Sequence, residues 1–294
     1  MAEDARRSGG TLPGRLAPGL HFVSTPIGAA RDITLRGLDI LATADVIAAE
    51  DTRTLRHLME IHGIALNGRP VIAYHDHNGE AARPRLLRAL DEGKSLAYAS
   101  EAGTPLVADP GFQLGRAAIA AGHPVFAAPG PSAVLAALTV SGLPTDRFLF
   151  AGFPPNTDTA RRKWLREFAT VPATLIFYES PKRVGDLLTA MVDEFGAGRQ
   201  AVVCRELTKR FEEVRRGMLG DLAQDYAGQP VKGEIVVLVD RPHGRQASAE
   251  DVAQALRERL GHMRVKEAAA EVAEMFGLPR REVYQAALTI GRDE

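Results

Sequence analysis

From Leu20 to Asp240 the chain repeats one unit, an apolar run of strand length followed by an amphipathic segment of helix length. No other feature constrains the fold as tightly. Consecutive strands separated by a helical crossover pair in parallel, and the helices cover the sheet faces. The runs are Leu20–Ser24, Val46–Ala49, Val71–Tyr74, Ser95–Ala99, Val125–Ala128, Phe148–Ala151, Ala173–Tyr178, Gln200–Arg205 and Glu234–Val239. Helical segments are expected at Leu35–Ala42, Arg85–Asp91, Gln113–Ala121, Ser132–Ser141, Arg161–Phe168 and Lys182–Phe195. The pattern predicts an α/β protein with mainly parallel pairing. So many strands exceed one small domain, and Ser141-Gly142-Leu143-Pro144-Thr145-Asp146 reads as a break. The expected organisation is a disordered leader over 1–19, one α/β domain over 20–143, a second over 144–241, and a helical module over 242–294.

The two ends differ from this body. The opening MAEDARRSGGTLPGRLAPG carries charges of both signs and no apolar core, unlike a signal peptide. No stretch approaches the roughly 20 apolar residues of a membrane span, so a cytoplasmic protein is expected. After the linker-like RPHGRQA, three short helices are expected, with Ser248 and Asp251 resembling a capping box and Gly261 and Gly277 near helix ends. The last two resemble a helix-turn-helix. The chain has 36 basic and 37 acidic residues, so its total charge announces no polyanionic partner. A single cysteine, Cys204, excludes an intramolecular disulfide and a cysteine zinc site.

In open parallel sheets, ligands bind beyond the carboxyl ends of the strands. Four loops stand there: Ser24-Thr25-Pro26-Ile27-Gly28, Ser100 to Gly111, Ala128-Pro129-Gly130-Pro131-Ser132-Ala133, and Phe177-Tyr178-Glu179-Ser180-Pro181-Lys182-Arg183. Three are rich in Gly, Pro, Ser and Thr, which let backbone approach a ligand and hold its shape. Ser132 is a candidate N-cap. The familiar nucleotide signatures are absent: there is no G-x-x-x-x-G-K-[ST], and no G-x-G-x-x-G follows a strand. His75, Asp76 and His77 lie close in sequence without a third strong ligand nearby, so no metal is expected.

Ten segments then occur in order: Thr25-Pro26-Ile27-Gly28, Asp32–Arg36, Ala49-Glu50-Asp51-Thr52-Arg53, Tyr74–Asn78, Ala102-Gly103-Thr104-Pro105, Asp109-Pro110-Gly111, Pro129–Ala133, Phe177–Pro181, Arg205–Lys209 and Lys232-Gly233-Glu234. Together they resemble the tetrapyrrole methylase family, and within it the branch that acts on small-subunit ribosomal RNA. The resemblance covers roughly Leu20 to Asp240, and the C-terminal helices are similar to that branch's extra domain. It implies the two-domain class III methyltransferase fold with S-adenosyl-L-methionine in the cleft between the domains. It also implies methylation of the ribose 2′-hydroxyl of cytidine 1402 in 16S rRNA of the 30S subunit, and a homodimer. The cofactor contacts it implies are Thr104, Leu106, Val107, Ser132, Ala133, Phe177, Gly233 and Glu234, with Pro26 and Gly28 lining the same cleft. Two positions depart from the branch's pattern: Glu101 stands where Asp is usual, and Ala29 where Asn is usual.

Methyl transfer to a ribose oxygen gains from a base near the 2′-hydroxyl. Glu179, His75 and Asp51 are the candidates, with Glu206 a further one and Glu179 favoured. A salt bridge from Glu179 to Lys182 or Arg183 is the structural alternative. RNA contact needs cations near the cleft. Residues 160–216 hold twelve basic against eight acidic residues. Arg161, Arg162, Lys163, Lys182, Arg183 and Lys209 are candidates there, and Arg36 and Arg53 join them by the resemblance; a solvated charged face is the alternative. Two other functions stay open. One is a precorrin-type C-methyltransferase of the same fold. The other is a nucleic-acid-binding regulator using Val265–Leu288.

Overall fold

The computed structural model describes residues 16–107, 109–242, 249–276 and 278–293. Most of the expected leader, Ser248 of the capping box, most of the linker and Gly277 lie outside these residues.

The first sheet has five strands: β1 (Gly19–Val23), β2 (Val46–Ala49), β3 (Val71–Ala73), β4 (Ser95–Ala99) and β5 (Val125–Ala128). Their order is β3-β2-β4-β1-β5, and every pairing is parallel. Helices α1 (Leu35–Thr43), α2 (Thr52–Ile61), α3 (Gly79–Asp91) and α4 (Gly111–Ala120) make the crossovers. β1, β2 and β4 are buried at every residue, as a sheet covered on both faces requires. One face packs Val23, Ile40, Leu41, Ile47 and Met59; the other packs Phe22, Tyr74, Leu86, Tyr98 and Leu114. Because all five strands run the same way, their following loops gather along one edge.

The second sheet corrects the expectation of mainly parallel pairing. It contains β6 (Phe148–Gly152), β7 (Thr174–Glu179), β8 (Gln200–Arg205), β9 (Glu213–Met218) and β10 (Ile235–Val239), in the order β6-β7-β10-β8-β9. Only β6 and β7 pair in parallel; the three other pairings are antiparallel. The turn from β8 to β9, residues 206–212, is too short for a helical crossover, so the strand must fold back on itself. β9, Glu-Val-Arg-Arg-Gly-Met, is a polar edge strand, which is why apolar runs alone do not reveal it.

The alternating side chains of this sheet serve two different layers. Leu175, Phe177, Val203 and Val237 pack under α6 (Asp158–Arg166), α7 (Val184–Phe195) and α8 (Leu219–Tyr226). Ile176, Val202, Cys204, Val236 and Leu238 face the other way, against Ile27, Val134, Ala137 and Leu138. Those last three belong to α5 (Ala133–Ser141), which follows β5 yet lies on the second sheet. α5 therefore ties the two sheets together. The C-terminal helices α9 (Ala249–Leu260), α10 (Val265–Phe276) and α11 (Arg280–Asp293) enclose a core of Leu256, Ala269, Val272 and Ala287.

Candidate active site

Where the loop edge of the first sheet meets the open part of the second sheet's face, the chain leaves a cavity of about 410 Å³. Ligand sites commonly span roughly 300–1,000 Å³. Its first wall is backbone from three strand-end loops. Thr25 and Gly103 exchange both backbone hydrogen bonds, each 3.0 Å, in an isolated antiparallel bridge. The Ser100 hydroxyl donates to Gly103 O at 2.7 Å, and the Thr104 hydroxyl donates to Pro131 O at 2.8 Å. Gly103 adopts φ +81°, a left-handed conformation that glycine accepts without strain. Leu106 adopts φ +72° without that freedom, so the same loop holds a strained residue. Below it, Tyr98 donates its hydroxyl to Asp109 at 2.9 Å; burial, with the nearby Asp109 charge, pushes this phenol well above its usual range.

The second wall is mostly side chains. Tyr178, Cys204 and Val236 come from the sheet face, Glu179 and Pro181 from the end of β7, Leu207 and Gly233-Glu234 from loops, and Phe153 from the segment after β6. Burial pushes the Tyr178 phenol and the Cys204 thiol each up to about 12, so neither ionises near neutrality.

Six residues implied as cofactor contacts line this cavity: Thr104, Val107, Ser132, Ala133, Gly233 and Glu234. Ser132 occupies the N-cap position of α5 without capping it by side chain, and it lines the cavity. Four others do not line it. Phe177 lies in the core on the opposite face of β7, against Trp164 and Phe168; its neighbour Tyr178 lines the cavity. Pro26 gives way to Ile27, and the strained Leu106 is 41% exposed. Gly28 packs against residues 207–209, where a Cβ would lie 2.5 Å from Lys209 Cγ and 2.6 Å from Thr208 Oγ1. Beside it, Ala29 N donates to the Thr208 hydroxyl at 3.1 Å, so the departure at position 29 leaves this backbone bond intact.

Of the candidate bases, Glu179 alone lines the cavity. Its side chain is fully buried; Oε1 accepts from Ser180 N at 2.7 Å and Arg183 Nε at 2.8 Å, while Oε2 has no hydrogen-bond partner. The ion pair with Arg183 and a place at the cavity thus coexist. Asp51 is committed elsewhere: it caps α2 through Arg53 N and Thr54 N, and its bond from the Arg53 side chain holds its carboxyl below the usual range. His75 follows the edge strand β3, its backbone N–H donating to Asn78 Oδ1 at 2.8 Å. Glu206 accepts from Glu234 N at 2.9 Å, which holds its carboxyl low, and pairs with Lys209. Glu50 is a further perturbed carboxyl at the strand ends that no local sequence signal marks. Burial raises its carboxyl pKa, as do the charges of Asp109, Glu101 and Asp76, while Glu101 N donates to it at 3.1 Å.

The cations expected to meet RNA divide sharply. Arg161 is 3% exposed and donates to Pro155 O and Asn156 O at 3.4 and 3.1 Å. Arg162 is held between Asp158 and Asp193, and Lys209 bridges Glu206 and Glu234. Arg183 is taken up by Glu179, Asn156 Oδ1 and Pro154 O. These four side chains have partners within the protein. Arg36 reaches Ala127 O at 2.8 Å, and Arg53, 91% exposed, pairs with Asp51. Lys163 and Lys182 are exposed. Among the described residues, no group of three or more His, Cys, Asp or Glu is placed to hold a metal ion.

The family model for tetrapyrrole (corrin/porphyrin) methylases matches residues 19–223, which hold the first sheet, every strand of the second except β10, and the cavity lining from Ile27 to Leu207. The chain belongs to the tetrapyrrole methylase family. A second model, the RsmI C-terminal HTH domain, matches residues 246–291. A Mesorhizobium japonicum protein named ribosomal RNA small subunit methyltransferase I is 47% identical over 281 residues, covering 95% of each chain. A Mycobacterium tuberculosis protein of the same name is 43% identical over 273 residues, 92% of this chain and 94% of its own. Among solved structures, the methyltransferase CobJ superposes with a TM-score of 0.59 at 22% identity, over 78% of this chain and 96% of that one. Cobalt precorrin-4 methyltransferase gives 0.58 at 18% identity, over 75% and 94%. At such identities these two likenesses establish the fold alone.

Proposed function

We propose that this protein methylates the ribose 2′-hydroxyl of cytidine 1402 in the 16S rRNA of the small ribosomal subunit. The observation that carries the reading is the similarity, above 40% identity and across more than nine-tenths of the chain, to relatives named as ribosomal RNA small subunit methyltransferase I. The similarity extends through the C-terminal helices, which a tetrapyrrole methylase fold does not by itself require. The precorrin reading has only likeness of fold behind it, at 18–22% identity.

The family's methyl donor is S-adenosyl-L-methionine, which supplies a methyl group on a positively charged sulfonium sulfur. The cavity suits such a molecule. Its walls are largely apolar, backbone groups of Gly103 and Gly233 border it, and a buried Glu179 oxygen without a partner favours positive charge nearby. Thr104, Val107, Ser132, Ala133, Gly233 and Glu234 would hold the donor. The 2′-hydroxyl must lose its proton as its oxygen takes the methyl group. Glu179 is the group proposed to accept that proton at Oε2, with Arg183 and Ser180 N fixing the other oxygen. Lys163 and Lys182 are the proposed phosphate contacts. Among the described residues, no helix is long and apolar enough to cross a membrane, and a cytoplasmic site of action follows from the substrate proposed. A homodimer belongs to the same proposal; the sheet-edge strand β5 carries Phe126, 40% exposed, as one candidate for its surface.

The test is transfer of labelled methyl to unmodified 30S subunits, deproteinised 16S rRNA and a precorrin, side by side. A 2′-O-methyl blocks alkaline cleavage, so the modified nucleotide can be mapped. Label at one alkali-resistant cytidine of the subunit is expected. Label on the precorrin alone would overturn the reading.

A further inference from the structure

We propose that Phe153 is a stacking platform for a nucleobase of the RNA substrate, at the mouth of the cavity. The inference rests on the RNA-methylating reading above and adds a substrate contact to it. Phe153 is 56% exposed, and isolated exposed apolar side chains are ordinary on protein surfaces. Other phenylalanines are exposed too, among them Phe112, Phe126 and Phe211, and none of these lines the cavity. Phe153 combines exposure with a place on the cavity wall.

Its position is built rather than incidental. The pairing of β6 with β7 shifts register between Phe150 and Gly152, and Gly152 takes φ +82°. Such bulges re-aim a side chain and recur beside active sites. The Phe153 ring meets the Tyr178 ring edge-on at 5.5 Å, and Tyr178 in turn meets Phe150 at 4.7 Å. The next three residues, Pro154-Pro155-Asn156, are held by the two arginines withdrawn from solvent. Arg161 donates to Pro155 O and Asn156 O, and Arg183 donates to Asn156 Oδ1 and Pro154 O. Two prolines, two arginines and an aromatic ladder thus hold one ring at the rim. Lys182 follows the cavity-lining Pro181 and is exposed.

The chemistry of the substrate asks for such a feature. A ribose hydroxyl reaches an enclosed site only when its nucleotide leaves the helical stack, and the unstacked base needs a new partner. Aromatic side chains commonly supply it in single-stranded RNA recognition. A pre-positioned ring loses little freedom on binding, so its stacking is realised as affinity.

The test compares Phe153→Ala, Phe153→Leu and Phe153→Trp in the full chain, using unmodified 30S subunits as the probe. Apparent RNA affinity is read from the subunit dependence of methyl transfer, and S-adenosylmethionine affinity from calorimetry without RNA. The expected result is a loss of RNA affinity of about tenfold to a hundredfold for both Ala and Leu. Trp restores it to near wild type, and the calorimetric affinity holds in all three. Full RNA affinity in Phe153→Leu would overturn the platform, because an apolar wall would then suffice. A parallel fall in S-adenosylmethionine affinity would overturn it too, assigning the ring to the methyl donor. A wild-type protein that transfers no methyl to RNA would sink the functional reading and the platform with it. A wild-type protein that transfers, beside an unaffected Leu variant, would sink the platform alone.

Discussion

The two walls of the cavity are made by different means. The first is loop backbone, braced by Thr25, Ser100, Gly103 and Thr104 within the loops themselves. The second is a sheet face, whose side chains point where strand register sends them and whose rim is clamped by Arg161 and Arg183. A backbone wall keeps its shape only with the small residues it has. A side-chain wall tolerates change of shape and depends on charge and aromatic groups. Substitutions in the first should therefore damage binding of the donor and stability together, and those in the second should separate rate, RNA affinity and stability.

Gly103→Val should have the largest effect. It forces a β-branched residue to φ +81°, with Ile27 only 3.3 Å from the new Cβ. A loss of about 1–3 kcal/mol of stability is expected, with S-adenosylmethionine binding lost in calorimetry; unchanged binding would show the loop is no wall. Glu179→Gln is expected to lower single-turnover methyl transfer at saturating donor by about 10²–10⁴, and to weaken donor binding in calorimetry. A wild-type rate would remove Glu179 as the proton acceptor.

Arg161→Ala and Lys182→Ala sharpen the contrast within the second wall. The first leaves the carbonyls of Pro155 and Asn156 without their guanidinium donor, and should cost about 1–3 kcal/mol in denaturant unfolding. The second should leave stability alone and reduce the salt slope of RNA binding by about one. The reverse outcome would mean that the buried arginine, not the exposed lysine, meets phosphate.

Glu50→Gln should have the smallest effect, and it depends on pH. Burial and nearby carboxylates raise the Glu50 pKa in the folded state. The protonated form is thus favoured on folding, and that contribution is lost as pH rises through the folded value. The variant should melt slightly higher than wild type near pH 7.5 and about equally near pH 4. Equal melting at both would remove the burden assigned to Glu50.

Much of the first wall is legible in sequence, and the reason is physical. Loops that brace one another through backbone must be built of Gly, Pro, Ser and Thr, and Gly103, Thr104 and Ser132 stand out for that reason. The second wall is harder to read. Alternation shows that Phe177 and Tyr178 face opposite sides, but the side that holds the cavity depends on where α5 and α7 pack, which is not local. Charge misleads in the same way: Arg162 finds Asp193, 31 residues away, and nothing beside it in the chain announces that partner. β9 escapes notice because an edge strand need not be apolar. Glu50 escapes because its perturbation comes first from burial and then from Asp109, Glu101 and Asp76, all of which arise only when three strand ends converge.

The most direct test of the two-walled site is ultraviolet cross-linking of labelled S-adenosylmethionine to the intact protein, followed by peptide mapping. Label is expected on peptides from both walls, one carrying Gly103 to Val107 or Ser132-Ala133, the other Tyr178 to Pro181 or Gly233-Glu234. Label confined to one wall, or found only on the C-terminal helices, would contradict a donor held between the two sheets.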